Sequence, residues 1–488
     1  MVARGSGSRR ARAARPTTRK VAAVTHAVDQ TPTPALDALR AVVPESCLTT
    51  DGVAIAARSV DASFIPADGA AVALVTPTST AEVAAVLRVA HEHGVPVVPQ
   101  GGLTGLAGGA SAVEGGILLD LSRMTAIRRI DPDDHVAVAQ AGVITEHLAN
   151  AVAERGLFYP PDPASWSTST IGGNVATNAG GMRCVKYGVT RDWVRTLEVV
   201  LADGTVVHTR PGTVKAVAGL DLTSLFVGSE GTLGVITEVT VALRPAPGPS
   251  RGVSAGFPTV AAALAAANAI MAGSHRPSTL ELLDSVVVDA VCRLQPDAGL
   301  PAGAGAWLLA LTDEVVGAAD DLAEFARVCR EHGASSVEVA DDDAQVTRLL
   351  AARRLLNPAM REYRGASLNE DVCVPRSQLP AVLAAIADLS REIGLPIGTG
   401  GHVGDGNLHP VVAYDPEVAA QLAVARGAHE RIMALAVAHG GTVSGEHGIG
   451  TEKLAALHLE LTPRVRALQR ALKGVLDPMG ILNPGKKL

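Results

Sequence analysis

The sequence is poor in aromatics. Five Phe, three Trp and four Tyr make up 2% of 488 residues. Its cores must therefore be built from Ala, Val, Leu and Ile. Cysteine is also scarce: Cys47, Cys184, Cys292, Cys329 and Cys373 are scattered, odd in number and form no CxxC. That excludes a local cysteine cluster of the kind that holds an iron–sulfur centre and fits free thiols in a reducing compartment. No run of 18 uncharged apolar residues occurs, so no integral membrane segment is expected. With 49 acidic against 42 basic residues the net charge is −7, which argues against nucleic acid as a partner. The first 28 residues hold seven basic residues and no acid. Residues 1–35 read as a disordered basic tail, with a transit peptide as the alternative. The expected location is cytoplasmic, with peripheral attachment to a membrane left open.

Length and composition predict two to four globular domains. Ala71–Thr76 reads as a strand, Ala81–Gly94 as a helix and Val95–Pro99 as a strand, an α/β order. Strands follow at Gly116–Leu121, His135–Ala141, Thr196–Leu201, Val206–Arg210 and Leu233–Leu243, with a hairpin turn at Asp203-Gly204. Residues 244–250, rich in Pro and Gly, read as a linker. Beyond them, helical patterns alternate with short strands in a second domain.

Glycine is what the chain has in excess. Twenty-six of its 50 glycines fall in five segments, 101–116, 172–188, 228–234, 394–406 and 440–450. The first follows a strand and can expose successive N–H groups to a diphosphate. It is neither a phosphate-binding GxxxxGK[ST] loop nor a GxGxxG dinucleotide fingerprint. Three such segments in one domain imply backbone pressed close to something large and flat. The last two segments carry chemistry. His402 and His409 flank Gly404-Asp405-Gly406, and Glu446 and His447 lie between Gly445 and Gly448. Two histidines and a carboxylate form a three-ligand set for zinc that leaves a site for substrate. Iron or manganese would also suit. Adjacent residues of an extended segment point opposite ways, so Glu446 and His447 can share a site only if the glycines bend the chain.

Six motifs in order, Gly101–Ala110, Pro161–Gly181, Gly228–Ile236, Gly401–His409, Ser444–Gly450 and Ile481–Lys486, resemble the FAD-linked D-2-hydroxyacid dehydrogenases of the vanillyl-alcohol oxidase superfamily. The resemblance runs from about Ala71 to the C-terminus. It implies an α+β fold: a two-subdomain FAD-binding (PCMH-type) domain at 67–247 and an α+β cap with an antiparallel sheet at 251–439. A C-terminal segment, 440–488, would return to the FAD domain. FAD would be held non-covalently, since the first glycine segment has neither His nor Cys. Gly101, Gly102, Leu103, Thr104 and Gly105 would surround the pyrophosphate. Pro161, Asp162, Gly172, Gly173, Asn178 and Gly181 would lie along the flavin, Gly234 and Ile236 near the adenine, and Asn483 would return to the cofactor. His402, His409 and Glu446 would ligate a divalent metal and His447 would be the base. Arg353 would bind the substrate carboxylate and Asn407 would orient the substrate.

The activity so implied is oxidation of a small D-2-hydroxy acid, D-lactate or glycolate, to the 2-oxo acid. An external acceptor, a quinone, cytochrome or flavoprotein, would take the electrons. A homodimer is left open. The alternatives are a D-2-hydroxyglutarate dehydrogenase and a non-catalytic flavin-binding partner subunit. Members that read a distal carboxylate place a Lys just before the strand at 371–374. Asn369 stands there, with Glu370 beside it, which disfavours 2-hydroxyglutarate.

Overall fold

A computed structural model describes residues 33–63 and 65–488; most of the basic tail lies outside them. The chain's first described helix is Thr33–Val42, so the tail as read from sequence runs three residues into it. Residues 33–63 also belong to the first domain, which the sequence reading began at 67. Leu39 packs in one core with Val83, Leu87 and Leu119, and Leu48–Thr49 pairs with Leu74–Val75.

That first domain has two sheets. The strands Ala73–Val75, Ile117–Asp120 and Val97–Gln100 lie parallel. Helix Thr80–His93 connects the first to Val97–Gln100, with Ser79 accepting the Glu82 amide and Gly94 left-handed at its end. The second sheet is antiparallel and five-stranded. Its hairpin Val194–Val200 to Val206–His208 turns at Asp203-Gly204, as the sequence indicates. The linker is shorter than read: Arg244–Pro245 pairs with Leu157–Phe158.

The cap domain is one antiparallel sheet of seven strands in line, with Val372–Cys373 paired off the path. Helices cover it, and its buried cores are mainly aliphatic, with Phe257, Phe325 and Trp307 as their fully buried aromatics. The C-terminal stretch divides between the domains. Val443, Ile449 and Leu457 pack in the cap core, and Thr442 bridges to Cys373. Ile481 and Leu482 return to the first domain's core; the Val97 amide donates to Ile481 O and the Asn483 amide to Val97 O. Among the described residues no helix is long and apolar enough to cross a membrane.

Candidate active site

The glycine segments of the first domain wall a cleft of about 540 Å³. Gly101, Leu103, Thr104, Gly105, Gly172, Gly173, Gly234 and Ile236 line it, and so do Glu446 and His447 from the far end of the chain. The second glycine segment is not a loop. Ile171–Thr177 is helical, with Thr170 accepting the Gly173 amide and Asn178 left-handed at its end.

Two of these glycines are required by the packing of the chain itself. A Cβ on Gly102 would lie 2.3 Å from Thr168 O, and one on Gly172 would lie 2.5 Å from Ala141 Cβ. Leu103, Asn178, Glu230 and Asn483 all have positive φ without being glycine, and such strain gathers at functional sites. Gly102, Pro161, Asp162, Asn178, Gly181 and Asn483 do not line the cleft. Asn178 Oδ1 accepts the Arg191 amide. Asn483 Nδ2 donates to Gly109 O and Glu230 O, tying two walls together. Asp162 and Gly181 touch each other: a Cβ on Gly181 would meet Asp162 O at 2.5 Å.

The histidines are set by strand register. Ile397–His402 pairs with Asn407–Tyr414, placing His402 opposite Asn407 and Gly400 opposite His409. Opposed residues share a face, as do residues two apart, so His402, Asn407 and His409 point the same way. Strand Thr279–Asp284 adds Glu281 opposite His402. Three candidate ligand atoms then form a near-equilateral triangle. His402 Nε2 and His409 Nε2 are 3.4 Å apart, and Glu446 Oε1 is 3.5 and 3.4 Å from them. Ligands about 2.0–2.1 Å from a tetrahedral zinc are separated by roughly 3.3–3.4 Å. The donor set and its spacing fit such an ion.

Carboxylates stand behind this triangle. His402 Nδ1 lies 2.5 Å from Glu281 Oε1, and Arg353 Nε donates to Glu281 Oε2 at 2.6 Å. The sequence reading gave Arg353 to the substrate carboxylate; in the fold its Nε is already held by a buried glutamate. Burial disfavours charge on Glu281, but His402 and Arg353 hold its carboxyl below the usual range. Burial opposes charge on His402 too, yet Glu281 and Glu446 push its pKa well above the ordinary value. His447 goes the other way: burial lowers it, against the pull of Asp371. Its ring stacks on His409, centroids 5.3 Å apart.

The Glu446–His447 segment bends as expected from its glycines. A Cβ on Gly445 would lie 2.5 Å from Asn407 Oδ1, and Gly448 has φ +89°. Two carboxylates from different domains clamp it. Asp371 Oδ2 accepts the amides of Glu446 and His447, both at 2.9 Å. Glu230 accepts those of Ile449 and Gly450 at 2.9 and 2.7 Å. Sequence reasoning missed Asp371, Glu281 and Glu230. Glu230 sits inside a glycine segment and could have been noticed there; the other two carry no local signal.

A two-domain fold with a glycine-walled cleft, and an imidazole–carboxylate cluster opening into it, defines an FAD-linked oxidoreductase. Residues 71–210 match the FAD binding domain family, and residues 247–487 match the C-terminal domain of FAD linked oxidases. The chain is 40% identical over 418 residues to the glycolate oxidase subunit GlcD of Bacillus subtilis (strain 168), covering 85% of this chain and 88% of that protein. It is 36% identical over 417 residues to the D-lactate dehydrogenase of Archaeoglobus fulgidus, covering 85% and 90%. The crystal structure of p-cresol methylhydroxylase shares the fold, with a TM-score of 0.76 at 19% identity over 93% of this chain and 96% of that one. The chain belongs to the FAD-linked oxidase family, in the branch that holds glycolate oxidase subunits and D-lactate dehydrogenases.

Proposed function

We propose that the protein oxidises a small D-2-hydroxy acid, D-lactate or glycolate, to the 2-oxo acid and passes the electrons to an external acceptor. The observation that carries this reading is that Glu446 and His447 line the same cleft as the flavin-binding glycine segments. FAD, when bound, supplies the hydride acceptor. Its non-covalent attachment is supported by the cleft lining, which among the described residues includes no Cys and no His other than His447. His402, His409 and Glu446 would hold the divalent ion, zinc ahead of iron or manganese on their spacing, and that ion would supply Lewis acidity toward the substrate hydroxyl.

The chain's own residues do the rest. His447, kept neutral by burial, takes the hydroxyl proton. Asn407 stands on the face that carries both histidines, with its Oδ1 buried and unpaired beside Gly445, and we assign it to orienting the substrate. Arg353 keeps its terminal nitrogens for a carboxylate, while Glu281 fixes its Nε. A second distal carboxylate finds no free cation in Lys453, whose amine is buried and held by Glu370, Asp371 O and Val443 O. This supports lactate or glycolate over 2-hydroxyglutarate.

The test is anaerobic bleaching of bound flavin by a panel of D- and L-2-hydroxy acids, with and without chelator. Bleaching by D-lactate or glycolate, lost on chelation, is expected. No bleaching by any of them would overturn the reading and leave the non-catalytic subunit in its place.

A further inference from the structure

We propose that Asp371 is the positioning residue of this site, holding the Glu446–His447 turn with one carboxylate oxygen and orienting His409 as a metal ligand with the other. The inference rests on the metal-assisted reading above. Asp371 is fully buried. Its Oδ2 accepts the Glu446 and His447 amides and the Ser444 hydroxyl, the last at 3.0 Å. Its backbone carbonyl accepts from Lys453 Nζ at 2.7 Å, so the residue is fixed from both sides.

Its Oδ1, by contrast, is buried with no hydrogen bond, and so is His409 Nδ1. The two are 3.9 Å apart, about 1 Å more than a hydrogen bond. A buried polar atom without a partner is costly, and here two complementary ones face each other. His409 directs Nε2 into the ligand triangle, so its Nδ1 carries the proton and needs an acceptor. Metal-bound histidines characteristically give that proton to a carboxylate. Glu281 already stands in that position behind His402, at 2.5 Å. Asp371 is the matching group behind His409. One residue thus couples three others: a ligand through its ring, a second ligand and the base through their amides.

Zinc titration into FAD-loaded, chelator-stripped protein tests this. Asp371→Asn keeps an acceptor for the two amides and puts an NH2 where His409 needs one. It should weaken zinc binding about 10- to 100-fold, with flavin content and the melting temperature of the metal-free protein little changed. Asp371→Glu should recover part of the affinity. A fallen melting temperature with unchanged zinc affinity in the folded fraction would make Asp371 merely structural and overturn the proposal. If the wild type itself binds no zinc, the metal reading falls and this proposal with it. Should the Asn variant not fold, histidine-15N spectra of the zinc-loaded wild type decide. Beside the Nδ1–H that His275 shares with Asp321, strongly deshielded Nδ1–H protons assigned to His402 and His409 are expected, and the lack of one at His409 overturns the proposal.

Discussion

His402 Nε2 and His409 Nε2 stand 3.4 Å apart although the two residues are seven positions apart in the chain. The hairpin does this, with four residues between its strands and the register His402 to Asn407. Replacing either histidine by Ala should therefore abolish metal loading while FAD stays bound in the cleft. Metal analysis beside the flavin spectrum checks this. A variant that keeps its full metal content would remove that histidine from the ligand set.

His447 borders the cleft and has a base's environment. His447→Ala should keep FAD and lose substrate-dependent flavin reduction by about 10²- to 10⁴-fold. Stopped-flow reduction under anaerobic conditions reads this directly, and full-speed reduction would sink the assignment.

Arg353 is paired with Glu281 in the fold, and its proposed hold on the substrate carboxylate can be separated from that pairing. Its guanidinium compensates the buried Glu281, and breaking a buried pair by removing one partner costs about 3–5 kcal/mol. Arg353→Ala should therefore lower thermal stability as well as raise KM. Arg353→Lys retains a charge but loses the planar fork, so stability should recover more than KM does. Melting curves and steady-state kinetics on both variants check the split.

Asp284 makes stability depend on pH. It caps helix Ser285–Leu294 through the Val287 amide, and its second oxygen accepts from Thr399 N. Burial nonetheless pushes its pKa up to about 7. Between pH 4 and 7 the unfolded chain releases this proton and the folded one keeps it, so stability should fall as pH rises through that window. The slope should flatten in Asp284→Asn, at the expense of the Thr399 contact. Melting temperature measured from pH 5 to 8 in both proteins settles the point.

Much of this was legible in the sequence. Apolar periodicity marked the helix at 80–93, and Asp203-Gly204 marked its hairpin, because both are local signals. The clustering of His402, His409 and Glu446 was legible because glycine frames the segments that carry them in the sequence. Nothing in the glycine segment at 172–188 signals a helix, yet Ile171–Thr177 forms one, held by the Thr170 cap and the buried Ile171 and Val175. Gly102 is expected at the pyrophosphate and Gly172 along the flavin; the neighbouring chain adds its own need for a glycine at both positions. Glu281 and Asp371 were invisible because their meaning comes from contacts made across 121 and 75 residues, the first through strand register and the second between loops. No spacing rule spans such distances.

The return of residues 481–483 to strand Val97–Gln100 has a consequence for biosynthesis. Asn483 joins Gly109 to Glu230, and Ile481 and Leu482 complete the core beneath that strand. A chain emerging from the ribosome forms its domains in order, yet here the first domain lacks part of its interior until residues 481–483, which follow the cap domain, have been made. The two cleft walls that Asn483 joins are thus tied together only after the whole cap domain has been made.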